Sequence, residues 1–254
     1  MTGVATHQGR RTWMALIVGA ALAIALALVS WNAGDPVATA RAALAGASAG
    51  EVMDGAVAGD AVRASMRAAR SGTYTVTLDS ITNRGSFVAN DAGGFDQELR
   101  MGDDAGVTMR IRDTVYIRGM GGDKERWAKA GPGSGAAGSF YRSLMAKALG
   151  PELMFSVLER SPATVESLSS AGTTLRSRLD YADILNDTLA PNQGASTGVV
   201  APQPTDVTLV LDARGRPMTF TMVNATGTTV TTYAGWGSEV RIEAPPAHLV
   251  DPMK

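Results

Sequence analysis

Cysteine is missing from all 254 residues, which excludes disulfides, thiolate metal sites, a catalytic thiol and any cysteine-borne lipid. Histidine occurs only as His7 and His248, neither with a partner at metal-ligand spacing, so a histidine-based zinc site or triad has nothing to build on. Basic excess is missing too. Arg10 and Arg11 precede the first acid, Asp35, so the formal net charge of -1 becomes 21 Lys+Arg against 24 Asp+Glu, or -3, past the first hydrophobic run. That balance leaves nucleic acid no cationic footprint. No self-similarity appears at a solenoid period. Lysine is scarce beside arginine while Ala, Gly, Val and Thr dominate, a bias of GC-rich bacterial genomes and not of any one function.

What is present begins with an uncharged run from Thr12 to Gly34 whose centre, Trp13 to Val29, is almost wholly apolar. As a helix rising ~1.5 Å per residue it is long enough for a hydrocarbon core of ~30 Å. Arg10 and Arg11 on one flank and Asp35 on the other place the N-terminus in the cytoplasm, with Trp13 and Trp31 at the two interfaces. The expected organisation is a cytoplasmic stub (1–11), a transmembrane helix through the plasma membrane (12–34), a linker (35–50) and an extracytoplasmic domain (51–254). The alternative is a cleaved signal peptide, with Ala38-Thr39-Ala40 offering small residues at the right offsets. Either reading exports the domain.

Beyond the Ala- and Gly-rich linker, Val62, Met66 and Ala69 recur at helical spacing with Arg63, Arg67 and Arg70 between them. The period then changes to two. Tyr74, Val76 and Leu78 alternate with Thr75 and Thr77, and Phe95, Leu99 and Met101 alternate with Glu98 and Arg100. These are half-buried strands, and Val107–Arg112 with Val115–Arg118 forms a hairpin around Asp113-Thr114. Helices are expected at Phe140–Leu149, at Pro151–Leu158 and from Ser161-Pro162, where proline suits a first turn. Thr173–Tyr181 returns to strand character. Residues 186–205, with Pro191, Pro202 and Pro204, read as a long loop. Strands at Asp206–Asp212, Met218–Met222, Thr228–Tyr233 and Ser238–Ile242 close the chain.

Two motifs invite chemistry and fail on context. Gly133-Ser-Gly135-Ala-Ala-Gly138 matches a dinucleotide fingerprint and precedes a helix, yet no buried parallel strand leads into it. Asp180, Asp183, Asn186 and Asp187 cluster oxygen donors without the alternation or glycine of a calcium loop, and read as a solvated strand end. Asn186-Asp-Thr188 and Asn224-Ala-Thr226 are formal glycosylation sequons of little weight. No metal, cofactor or catalytic residue is expected. The feature that asks for more is apolar: Met109, Ile111, Val115, Ile117, Met218, Phe220 and Met222 fall on what alternation makes one sheet face. Such a face is either a filled core beneath helices or an adaptable cavity, since methionine fits ligands of varied shape.

The order of elements adds a resemblance. An Ala-rich helix, strands reaching Val115-Tyr-Ile-Arg118, the Arg126-Trp127-Ala-Lys129 step and a helical middle are followed by Val207-Thr-Leu-Val-Leu-Asp-Ala-Arg-Gly-Arg-Pro-Met218 and Val240-Arg-Ile-Glu-Ala-Pro-Pro246. Together they resemble the LppX/LprG family of actinobacterial envelope lipoproteins over most of residues 51–251. The resemblance implies an α+β, LolA-like fold: an antiparallel U-shaped half-barrel with helices over its concave face and a hydrophobic pocket for acyl chains. The chain departs from that family in having no lipobox cysteine, so a retained helix would do the tethering.

The expectation is therefore a non-catalytic, membrane-tethered binding protein for lipid or another hydrophobic ligand, the alternative being a sensor, scaffold or interaction domain with a filled core. Its pocket would use Met109, Ile111, Val115, Ile117, Met218, Phe220 and Met222 from the sheet, with Phe140, Leu144, Leu153 and Phe155 from the helices. In register terms, Met109, Ile111, Leu209, Leu211 and Phe220 should point inward and Arg110, Arg112 and Thr219 outward.

Overall fold

In the computed structural model, residues 42, 44, 46–102, 106–119, 124–189 and 201–253 are described. The expected cytoplasmic stub, transmembrane helix and first part of the linker lie outside them.

Thirteen strands form one sheet in the order β1-β8-β9-β10-β11-β12-β2-β3-β4-β5-β6-β7-β13. They are β1 (Val52–Met53), β2 (Ser71–Leu78), β3 (Ile81–Ala89), β4 (Phe95–Met101), β5 (Gly106–Ile111), β6 (Thr114–Arg118), β7 (Trp127–Ala130), β8 (Ala163–Ser169), β9 (Gly172–Asp180), β10 (Pro204–Asp212), β11 (Pro217–Asn224), β12 (Gly227–Ala234) and β13 (Val250–Pro252). Neighbours are antiparallel except β13, which runs parallel to β7. Among the described residues from Val52 on, the sheet is curved and unclosed, and with four helices it makes an α+β fold. Those helices are α1 (Gly55–Ala69), α2 (Ala136–Lys147), α3 (Gly150–Leu158) and α4 (Tyr181–Leu189).

Helix α1 starts where the Asp54 carboxylate accepts from the backbone N–H groups of Ala56 (2.8 Å) and Val57 (3.3 Å). Its small buried face, Ala58, Ala61, Val62 and Met66, lets it lie close to α3 and the sheet. The approach is tightest at Gly55, where a Cβ would stand 1.9 Å from the Leu158 carbonyl oxygen. Strand β2 carries β-branched residues on its outer side and Tyr74 on its inner side, as a sheet with one covered face requires. The main core joins α1, α3 and α4 to one face of the sheet. Its aromatic spine runs from Tyr74 through Phe87 (centroids 6.5 Å apart) and Phe95 (5.4 Å) to Phe155 of α3 (6.0 Å).

Several sequence expectations are corrected. The helix expected from Ser161-Pro162 is strand β8, because Ala163 and Val165 are buried in alternation and pair with β1 and β9. The acidic cluster does begin at a strand end, Asp180 being the last residue of β9, and Asp183 and Asp187 are exposed as expected; what was not expected is that Asp180 accepts from the Ala182 backbone N–H (3.0 Å) and opens α4, which buries Ala182, Ile184 and Thr188. Ser238–Ile242 forms no strand. The last strand is instead β13, tied to the start of β7 by Arg126, whose Nε and Nη2 donate to Asp251 at 2.6 and 2.7 Å.

Candidate functional site

Directly opposed residues on paired strands share a face, so the register sorts the expected pocket residues without ambiguity. Phe95, Gln97 and Leu99 of β4 face the helices and are fully buried. Gln97 is opposite Arg110, and Leu99 is opposite Thr108. Arg110 is in turn opposite Val115, and Thr108 opposite Ile117. Strand β5 therefore turns Thr108 and Arg110 toward the helices. Met109 lies opposite Glu98 and Tyr116 on the other face, and Ile111 shares its side. The expected register of this strand is inverted, and Met109 is buried on the outer face. Arg112 is exposed as expected.

The inversion has a partner to explain it. Arg110 Nη1 donates to Glu152 Oε1 of α3 at 3.0 Å, with both side chains largely buried (21% and 14% exposed). Burial raises the Glu152 carboxyl above its ordinary value, and Arg110 and Arg63 pull it back in part. Nearby, Gln97 donates from Nε2 to the Met145 carbonyl of α2 at 2.9 Å. Its Oε1 lies against Gly150, a residue with φ +60 where a Cβ would stand 2.1 Å from that oxygen and 2.9 Å from the Tyr74 hydroxyl. Only glycine fits both the turn and the approach. The Gln97 Oε1 and the Tyr233 hydroxyl are buried without a hydrogen-bond partner among the described residues. Burial raises both Tyr74 and Tyr233, so each phenol stays protonated.

Val115 and Ile117 form, with Ala130 and Met145, a second apolar cluster separate from the main core, flanked by Tyr141, Leu149 and Met253. Helix α2 covers it. Of the large side chains on α2, Met145 alone is fully buried; Phe140, Tyr141 and Leu144 are half-buried, as are Leu149 beyond its end and Leu153 on α3. A concavity of about 330 Å³ lies between α2 and the β5–β6 hairpin, lined mostly by polar side chains (Arg110, Asp113, Ser139, Arg142, Ser143 and Lys147) together with Ala146 and the edge of Val115. Phe155, Phe220 and Met222 belong instead to the main core. Met218 is 47% exposed at the bulge where β10 and β11 lose register.

Residues missed in sequence are Ala130, Tyr141 and Leu149 around the small cluster, and the polar set Gln97, Arg110 and Glu152. A signal existed for Gln97. It shares the parity of Phe95 and Leu99, so alternation alone places an amide on the covered face.

The arrangement defines a class: one wide, curved sheet with its helices gathered on one face. No protein-family model matches the chain, and no curated protein matches it. Among solved structures it is similar to LprF from Mycobacterium bovis, at 14% identity over 74% of this chain and 96% of that one, with a TM-score of 0.40. The Mycobacterium tuberculosis lipoprotein LppX gives 14% identity, 72% and 98% coverage and a TM-score of 0.37. A chain of the Pseudomonas aeruginosa MucA/MucB complex gives 13%, 75% and 59%, also with 0.37. Likeness at this level carries no functional argument.

Proposed function

We propose that this chain is a non-catalytic, extracytoplasmic binding protein for a hydrophobic ligand, which it takes between helix α2 and strands β5–β7. The observation that carries the reading is how α2 sits on the small apolar cluster: through one fully buried large side chain, Met145, beside a concavity that reaches Val115. Met145 is the one large apolar anchor of α2, and an acyl chain inserted beneath the helix gains ~0.8 kcal/mol per buried methylene. Half-buried Phe140, Tyr141 and Leu144 would then close over the chain. Tethering by the apolar segment Trp13–Val29 would hold the domain at the outer surface of the plasma membrane, within reach of its lipids.

Binding is tested with a fluorescent fatty-acid analogue and the purified full chain. The wild type raises the probe's emission; Met145→Arg, which sets a charge beneath α2, abolishes the rise. No emission change with the wild type would sink the ligand reading and leave a filled-core interaction domain. Topology is tested separately: protease added to intact spheroplasts digests the domain and leaves the Arg10 side protected. A protected domain would contradict export.

A further inference from the structure

On the face of the sheet opposite α2, three arginines line up across the four successive strands β3 to β6. Arg84 of β3 is directly opposite Arg100 of β4. Arg100 is opposite Val107 of β5, and Val107 is opposite Arg118 of β6. At ~4.8 Å per strand, the row spans roughly 14 Å of backbone. Like charges directly opposed on a sheet are unfavourable, so this row costs the fold stability. It borders a concavity of about 480 Å³ to which Lys124 adds a fourth cation, and no carboxylate stands among the described residues that line it. The concentration contrasts with the -3 balance of the chain beyond Arg11, where acids outnumber bases.

We propose that this concavity is a binding site for a phosphate-bearing anion, independent of the apolar site beneath α2. Guanidinium forks match phosphate oxygens two at a time, and the Arg84–Arg100 pair offers two forks on neighbouring strands. Arg118 is already positioned. Its guanidinium stacks 4.6 Å from the centre of the Trp127 ring, which fixes the plane and leaves the N–H edges free to donate into the concavity. Arg100 Nε donates to Glu98 at 2.6 Å, which orients its remaining N–H groups without neutralising Arg84, Arg118 or Lys124. The same chemistry is offered by free phosphate and by a phospholipid headgroup. The connections carrying Asp103, Asp104 and Asp123 lie outside the described residues.

Titration calorimetry on the full chain in non-ionic detergent, at low ionic strength, tests the proposal with two probes: inorganic phosphate and dihexanoyl-phosphatidylglycerol. Arg84 and Lys124 are exposed and can be changed without disturbing the core. The double variant Arg84→Gln/Lys124→Gln should bind on the order of tenfold more weakly with an unchanged melting temperature, and added salt should weaken the wild type likewise. Arg178→Gln, at an exposed arginine elsewhere on the sheet, should bind as the wild type does. Binding of both probes supports a site open to headgroups; binding of inorganic phosphate alone supports a site for soluble phosphate. Absence of heat with either probe overturns the proposal, as does equal binding by the double variant.

Discussion

Arg110 and Glu152 show how a single pair decides the face of a strand. Turning β5 so that an arginine enters the covered side is tolerable only because the Glu152 carboxylate of α3 meets it at 3.0 Å. Removing one partner leaves the other charge largely buried, so Arg110→Ala should cost about 3 kcal/mol, read as a fall in melting temperature. The pH dependence has a definite sign. Burial, the dominant influence, raises the folded-state Glu152 value above its ordinary 4.5, so the folded chain holds the proton more tightly than the unfolded chain. Its contribution to stability is fully present below 4.5 and is lost as pH climbs through the raised folded value. Glu152→Gln should flatten that part of the stability profile, measured by thermal melts across the acid range. An unchanged slope would mean that Glu152 does not govern it.

At the scale of elements, α2 is the piece on which function turns. Leu144→Trp adds bulk at a half-buried position. If α2 closes over space that a ligand fills, the variant should keep its melting temperature and lose probe binding. A close-packed layer, with interior density near ~0.74, would instead be strained, and the melting temperature would drop. The helices and hairpins were legible where periodicity was unmixed: α1, α2 and α3, the β5–β6 hairpin and the β10–β11 hairpin all follow their hydrophobic periods. That last hairpin turns on Asp212, which accepts from the backbone N–H groups of Arg214 (2.8 Å) and Arg216 (2.9 Å). Misreadings arose where a local cue met a tertiary demand. Pro162 suits a helix start, but Val165 is needed between β1 and β9; and the helix that begins just after Asp180 goes unseen because Asp180 both ends β9 and accepts from the Ala182 backbone N–H. In β5, Val107, Met109 and Ile111 are the apolar set, yet they face outward, because hydrophobicity alone does not tell a strand which side its helices are on. Of the expected pocket residues, Val115 and Ile117 meet under α2 while Met109, Ile111 and Met218 lie elsewhere, a division set by cross-strand register and a bulge that no single strand displays.

At the scale of the whole molecule, thirteen strands in one open sheet present two large faces, and among the described residues the helices lie on one of them. The proposal assigns them different tasks: the covered face takes apolar matter beneath α2, and the outer face takes an anion on its arginine row. Both would operate at the end of a short tether. The claim on which the account rests is that a hydrophobic ligand occupies the space beneath α2. The most direct measurement is mass spectrometry of an organic extract from the purified full chain, compared with Met145→Arg purified identically in the same detergent. The account predicts an acyl-bearing species in near-stoichiometric amount from the wild type and its loss from the variant. Equal amounts from both proteins, or none from the wild type, would contradict it.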